Sequence, residues 1–316
     1  MMDWTDRHCR YFHRQLSRHA RLYTEMVLTG ALLQGDAARH LRFDAAEHPV
    51  ALQLGGSEPH DLARAARLGA AAGYDEINLN CGCPSERVQR GAFGACLMAE
   101  PALVGDCIKA MRDAVTVPVT VKHRIGIDRG EDYGLLRDFV GALAMAGCEV
   151  FIVHARNAWL KGLSPRENRE VPPLRYEVVH RLKRDFPHAR FILNGGLATL
   201  AEALQHSVGL NGVMLGRAAY HDPYLLAHVD AVYGDAEPAP SRAEVVLRMS
   251  EYLERECHSG TAPRHIVRHM LGLYQGMRGA RRWRRLLSDA DQLESAGAGS
   301  LALALLEVEE PARAAA

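Results

Sequence analysis

Two cysteines close the stretch 74–84, Tyr-Asp-Glu-Ile-Asn-Leu-Asn-Cys-Gly-Cys-Pro. Residues 76–80 alternate polar and apolar, the pattern of a strand. Gly82 frees the backbone and Pro84 removes a donor, so the ladder cannot continue. Asn80, Cys81 and Cys83 are thus presented at the C-terminal tip of a strand. A free thiol titrates near ~8.5 and holds its proton at neutral pH. It can give that proton to a carbon that has just received a hydride. Taken alone, a cysteine is more often a small buried apolar residue. Nucleophilic thiolate chemistry is less supported, because no paired histidine is evident in the sequence.

Other strand ends collect further polar residues. They are Gln53, Lys122 with His123 and Arg124, His154 with Arg156, Asn194 with Gly195 and Gly196, and Gly216 with Arg217. Each has a bland reading by itself: a solvated strand end, a surface charge, a structural histidine, a common Asn-Gly-Gly turn. Their recurrence at successive strand ends favours the functional one. Backbone N–H groups of Gly195, Gly196 and Gly216 can approach an anion without a Cβ in the way. Arg217 adds a fork of donors suited to phosphate. Lys122 supplies a fixed positive charge for an electron-rich ring such as a reduced flavin, and Gln53 and His154 can hydrogen-bond such a ring in its plane.

Strands and helices alternate to position these tips. Strands are expected at 22–27, 50–56, 76–80, 118–122, 149–154, 190–194 and 212–215. Helices fall between them at 60–72, 103–115, 133–146, 174–186 and 199–206. Seven strand–helix units imply a parallel sheet. No GxGxxG follows the first strand, which argues against a dinucleotide-binding doubly wound sheet. Glycine-rich ends on the last two strands match the phosphate site of barrels. The expected fold class is therefore α/β, a (β/α)8 TIM barrel followed by a small C-terminal helical domain.

The chain has 316 residues, 48% of them hydrophobic, with 38 Lys+Arg against 38 Asp+Glu. This is a globular composition with no net charge to select a partner. Only four of the basic residues are lysines, and residues 242–285 carry ten arginines against four glutamates. Arginines 7, 10, 14, 18 and 21 form a basic helical stripe. Seven scattered cysteines without CxxC spacing indicate reduced thiols and no structural zinc. No signal peptide and no membrane-length apolar run is seen, so a cytoplasmic location is expected. Residues 234–240 form a Pro/Ala/Asp linker, dividing a catalytic domain (1–234) from a helical one (241–310). Ser241-Arg-Ala-Glu244 opens a helix to about 257 as a capping box. A second helix is expected at 264–277, and the tail from Pro311 is expected to fray.

In order, Asp-Trp-Thr-Asp-Arg-His, Gln-Leu-Gly-Gly-Ser, Asn-Leu-Asn-Cys-Gly-Cys-Pro-Ser, Val-Lys-His-Arg-Ile-Gly, Val-His-Ala-Arg, Asn-Gly-Gly and Gly-Arg-Ala occur along the chain. This series resembles the tRNA-dihydrouridine synthase family. The stretches 87–98 and 158–165 are similar to its A-type bacterial branch. The resemblance covers nearly the whole chain. It implies an FMN-bearing barrel, NADPH as reductant, and a helical domain that binds tRNA. Hydride then goes to C6 of a uracil and a cysteine protonates C5, at uridines 20 and 20a of the D-loop. On matching positions, Cys83 is the proton donor. Met1, Met2, Gln53, Lys122, His154, Asn194, Gly195, Gly196, Gly216 and Arg217 hold FMN. Asn80, Arg166, Arg169, Arg282 and Arg285 contact tRNA.

The residues themselves agree with this. A base must leave its stack to be reduced in a barrel mouth. The run Arg281/Arg282/Arg284/Arg285 has no acid near it in sequence before Asp289, which suits phosphate contact. The family's first strand is represented here only by Met1-Met2, so a barrel short of its first strand is expected, with two exposed edges. A monomer is expected. The alternatives are a flavin enzyme of free pyrimidines, similar to dihydroorotate dehydrogenases, and a tRNA-binding protein without catalysis.

Overall fold

The computed structural model describes residues 1–130 and 132–313, without the side chains of Arg87 and of 310–313. By contacts the chain divides into two compact units. One comprises Met1–Leu22, Phe43–Pro49 and Arg217–Ala316, and the other Tyr23–Arg42 and Val50–Gly216.

The second unit carries the sheet. Its strands are β1 (Leu22–Leu28), β2 (Val50–Gly55), β3 (Glu76–Cys81), β4 (Val119–Arg124), β5 (Val150–His154), β6 (Arg190–Asn194) and β7 (Gly212–Met214). They lie in one sheet in sequential order, with β1 and β7 at its margins. From β2 to β7 every neighbouring pair is parallel. A doubly wound sheet would reverse its strand order at a switch point, whereas winding in one direction without reversal is the barrel's topology. The fold is accordingly of the (β/α)8 class, with seven strands present.

Register sorts each strand into two faces. Leu52, Leu54, Ile77, Leu79, Val121, Phe151, Val153, Phe191 and Leu193 share one face and are fully buried. Each is worth roughly 1.5–3 kcal/mol of apolar burial. Helices Pro59–Ala71, Pro101–Ala114, Tyr133–Met145, Tyr176–Asp185 and Leu200–Ser207 follow the strands in turn. Their small buried residues, such as Ala65, Ala66 and Gly69, permit close approach to the sheet. The opposite face is polar near the strand ends.

The first unit is helical. Helix Arg7–Leu16 starts at Asp6, whose carboxylate accepts from the N–H groups of His8 and Cys9, both at 3.0 Å. Two members of the basic stripe do not face solvent. Arg10 is buried and donates to Glu47 at 2.6 Å. Arg14 is buried and donates to the carbonyls of Ser17, Ala20, Glu47 and Pro49. The linker 234–240 lies within this unit. Helix Arg242–His258 follows, with the expected capping box of Ser241 and Glu244. The helix expected at 264–277 is interrupted: Arg264–Val267 is α-helical, Arg268–Met270 is 3-10, and turns follow. Glycines at 272 and 276 each cost about 1 kcal/mol in a helix interior, which disfavours a continuous helix through 277. Trp283, fully buried, donates to the Met270 carbonyl at 2.8 Å and anchors helix Ala280–Ser288. Helix Ser300–Arg313 runs through Pro311, where fraying was expected; residues 314–316 lie outside the described residues. No helix among the described residues is long and apolar enough to cross a membrane.

Candidate active site

The polar face of the sheet gathers the strand-end residues of the second unit. Gln53 is in register with Asn78, Asn80 with Lys122, Arg124 with His154, and His154 with Asn194. Parity therefore puts Gln53, Asn80, Lys122, Arg124, His154 and Asn194 on one face. Cys81 falls on the other. It is fully buried, and burial pushes its thiol well up from the usual range, as for a packing residue.

Cys83 lies two residues past the end of β3 and is half-buried. Its loop is fastened on several sides. The Asn80 side-chain oxygen Oδ1 accepts from the N–H groups of Gly82 at 3.1 Å and Cys83 at 3.0 Å. The Cys83 carbonyl accepts from Ala95 N–H at 2.9 Å. A Cβ on Gly94, which has φ +75°, would come within 2.7 Å of that carbonyl, so only glycine fits there. Gln89 donates to the carbonyls of Pro84 at 2.7 Å and Leu160 at 2.9 Å. The thiol itself meets the Ser85 hydroxyl at 3.6 Å.

Arg124, singled out as a polar strand-end residue whose bland reading was a surface charge, is a fastening of this loop. It is buried, and its guanidinium donates to the Gly82 carbonyl at 3.1 Å, Asn157 at 3.3 Å and Asn168 at 2.9 Å. One side chain thus joins the Cys83 loop to the segment after β5. Asn168, also fully buried, accepts from Trp159 N–H at 2.8 Å and donates to its carbonyl at 2.9 Å, folding the intervening loop on itself. Burial pushes the Arg124 pKa down to about 10, and the charges of Arg169 and Arg156 contribute.

Lys122 is half-buried, and no hydrogen bond or ion pair to its ammonium is found among the described residues. Burial and the charge of Arg124 push its pKa down to about 8. The charges of Arg156 and Arg169 act on Arg124, and Arg124 acts on Lys122, so this end of the sheet is cationic. Such a donor set fits a phosphate or an electron-rich anionic ring.

His154 is buried, and its ring lies where a Cβ on Gly195 would stand, 2.4 Å from Cδ2. With φ +111°, Gly195 is required for room beside this ring as well as for backbone access. Tyr176 donates to the Gly195 carbonyl at 2.6 Å. Asn194 donates to the Met214 carbonyl at 2.7 Å and so ties β6 to β7. Gly196 adjoins Leu174 and Tyr176. Gly216 ends the second unit; Arg217 opens the short helix Arg217–His221 of the first, which also contains Met1 and Met2.

The arginines read as RNA contacts divide similarly. Arg166, largely exposed, stands 3.9 Å from Glu170, and Arg169 is half-buried, both in the second unit. In the first unit Arg285 is exposed, while Arg282 pairs with Glu307. The absence of an acid nearby in sequence did not leave Arg282 unpaired, because helix Ser300–Arg313 packs against Ala280–Ser288 and brings its own. Arg284 donates to Gln275 at 3.0 Å.

Comparison with known proteins extends over the same residues. The family model described as dihydrouridine synthase (Dus) matches residues 1–309. A Pseudomonas putida protein named tRNA-dihydrouridine(20/20a) synthase is 62% identical over 289 residues, 91% of this chain and 86% of the relative. Proteins of the same name from Escherichia coli K12 and Vibrio vulnificus are 57% identical over 291 residues and 53% over 312. They cover 92% and 98% of this chain, and 84% and 95% of their own lengths. A one-way barrel sheet, a thiol loop fastened at its mouth and these matches together establish that the chain belongs to the dihydrouridine synthase family.

Proposed function

We propose that the chain reduces the C5=C6 bond of uridines 20 and 20a in the tRNA D-loop. The observation that carries this is the half-buried Cys83, fastened at a strand tip within electrostatic reach of Lys122. The names of the relatives support the substrate. FMN, when bound and reduced by NADPH, supplies the hydride that goes to C6. Cys83 gives its proton to C5, and the resulting thiolate is reprotonated from water. Lys122 holds negative charge on the ring, and Gln53 and His154 orient it. Asn194, Gly195, Gly196 and Gly216 line the phosphate end. Asn80 fixes the Cys83 backbone and keeps one N–H of its amide for the base. Arg166 and Arg169, and Arg282 and Arg285 in the helical unit, take RNA phosphates, which makes binding salt-dependent.

The test uses tRNA from a strain lacking dihydrouridine, purified protein, FMN and NADPH, with nucleoside mapping of the product. Dihydrouridine at positions 20 and 20a is expected. Turnover of free uracil or orotate with none in tRNA would overturn the reading.

Lys122 gives a pH dependence. Its folded value, about 8, lies below the usual 10.5. Between those values the unfolded chain holds the extra proton, so the unliganded protein gains stability as pH rises through that window. An anionic ligand has the opposite preference, since it needs the ammonium. FMN affinity, followed by quenching of flavin fluorescence, is therefore expected to be highest below pH 8 and to weaken about tenfold by pH 9.5. Lys122→Met should flatten this profile.

A further inference from the structure

Behind the thiol loop runs a chain of hydrogen bonds that crosses the sheet's polar face from its top to its base. Gly82 and Cys83 N–H donate to the Asn80 oxygen. The Asn80 amide nitrogen donates to Gln53 Oε1 at 2.8 Å. Gln53 Nε2 donates to Asn78 Oδ1 at 2.8 Å. Asn78 Nδ2 donates to Thr120 Oγ1 at 2.8 Å. The Thr120 hydroxyl donates to Glu76 Oε1 at 2.6 Å, and the Tyr23 hydroxyl donates to the same oxygen at 2.8 Å.

Every link points the same way. The two ends have no choice of direction: backbone N–H groups can only donate, and a carboxylate can only accept. Three carboxamides and one hydroxyl lie between them, and all four could face either way in isolation. Fixed at both ends, each has one satisfying orientation. Asn78 and Glu76 are almost wholly buried, so no water can substitute for a lost partner without cost. Linked bonds of this kind also polarise one another.

We infer that Glu76 and Thr120 are positioning residues for Cys83: they fix the direction of this chain, so that Asn80 presents its oxygen, and never its NH2, to the Cys83 loop. The same direction fixes the Gln53 amide, whose oxygen and nitrogen would otherwise exchange places toward a bound ring. Neither Glu76 nor Thr120 belongs to the strand tip; four side-chain bonds connect Glu76 to Asn80 and three connect Thr120 to it. This inference rests on the proposed role of Cys83 only for its catalytic consequence.

Backbone amide exchange tests it without any chemistry. Thr120→Val keeps the shape of the side chain but removes the hydroxyl, taking from the Asn78 NH2 its acceptor Thr120 Oγ1 and leaving Glu76 with one donor fewer, Tyr23 remaining. Exchange at Gly82 and Cys83, read by mass spectrometry of peptides spanning 80–90, is expected to accelerate about tenfold while Tm stays within a few degrees. Thr120→Ser, which keeps the hydroxyl, should match the parent. Glu76→Gln, which keeps an acceptor without the charge, should lie between them. In turnover, kcat should fall with KM for tRNA unchanged. Unaltered exchange at 82–83 in a folded Thr120→Val protein, or equal acceleration in Thr120→Ser, overturns the inference. Should Thr120→Val not fold, Glu76→Gln decides alone by the same exchange rates. If exchange responds while kcat does not, the chain stands and it is the role of Cys83 as acid that fails.

Discussion

Cys83→Ala is expected to lower dihydrouridine formation by about 10²–10⁴-fold, the usual worth of a positioned general acid, while flavin binding persists. The side chain removed is a half-buried thiol whose hydrogen-bond partner among the described residues is Ser85. The groups in register on the sheet's polar face, Gln53, Lys122, His154 and Asn194, are untouched. Single-turnover mixing of the reduced holoprotein with tRNA separates the two properties. The yellow protein should form normally and its oxidation by tRNA should slow. Cys83→Ser retains a hydroxyl in the same place, but with a far weaker acid, so it should resemble alanine. Full activity in either variant removes Cys83 from the mechanism. Cys81, two residues away, is fully buried and in register with the apolar face of the sheet, so it is not placed to replace Cys83.

The second large effect is structural in origin and catalytic in consequence. Arg124→Met fills much of the same volume and removes the donors. It leaves the carbonyls of Gly82, Asn157 and Asn168 without that partner. Unsatisfied buried acceptors cost about 1–3 kcal/mol each, offset in part by relief from burying a guanidinium. A net loss of about 3 kcal/mol lowers Tm by several degrees in a chain of this size. Alkylation of Cys83 should quicken as its loop comes loose. Arg124→Lys should not restore either property, because one ammonium cannot address three divergent carbonyls as a planar fork does. Calorimetry with thiol labelling decides between this and a surface arginine, for which neither quantity would move.

The strand–helix alternation was legible because it depends on local sequence. Strand ends at Cys81, Arg124, His154 and Asn194 follow from apolar runs stopped by glycine or polar clusters. Legible too, in retrospect, was the polar stripe Glu76, Asn78, Asn80, three polar residues at period two on a central strand. A strand buried on both faces has no reason to carry them unless one face is a polar interior. What could not be read was the partner of each charge. Arg10 finds Glu47 from 37 residues away, and Arg282 finds Glu307 on another helix. Local charge counting treats such residues as solvated, and only the fold shows which are spent internally. The helix expected at 264–277 errs the other way, since α-helix holds only over Arg264–Val267 and the segment contains Gly272 and Gly276.

The Asn168 staple bears on recognition by its timing. The loop it folds is tied down by Trp159, by Arg124 and by the Gln89 bond to Leu160 when the chain folds, and Arg166 and Arg169 extend from its end. The conformational entropy of that segment is surrendered before any polyanion arrives. A nucleic acid docking there meets charges on a set frame, so it has only side-chain rotamers left to order. Association should then resemble rigid-body docking, with rates set by ionic strength and little changed by temperature-dependent loop ordering.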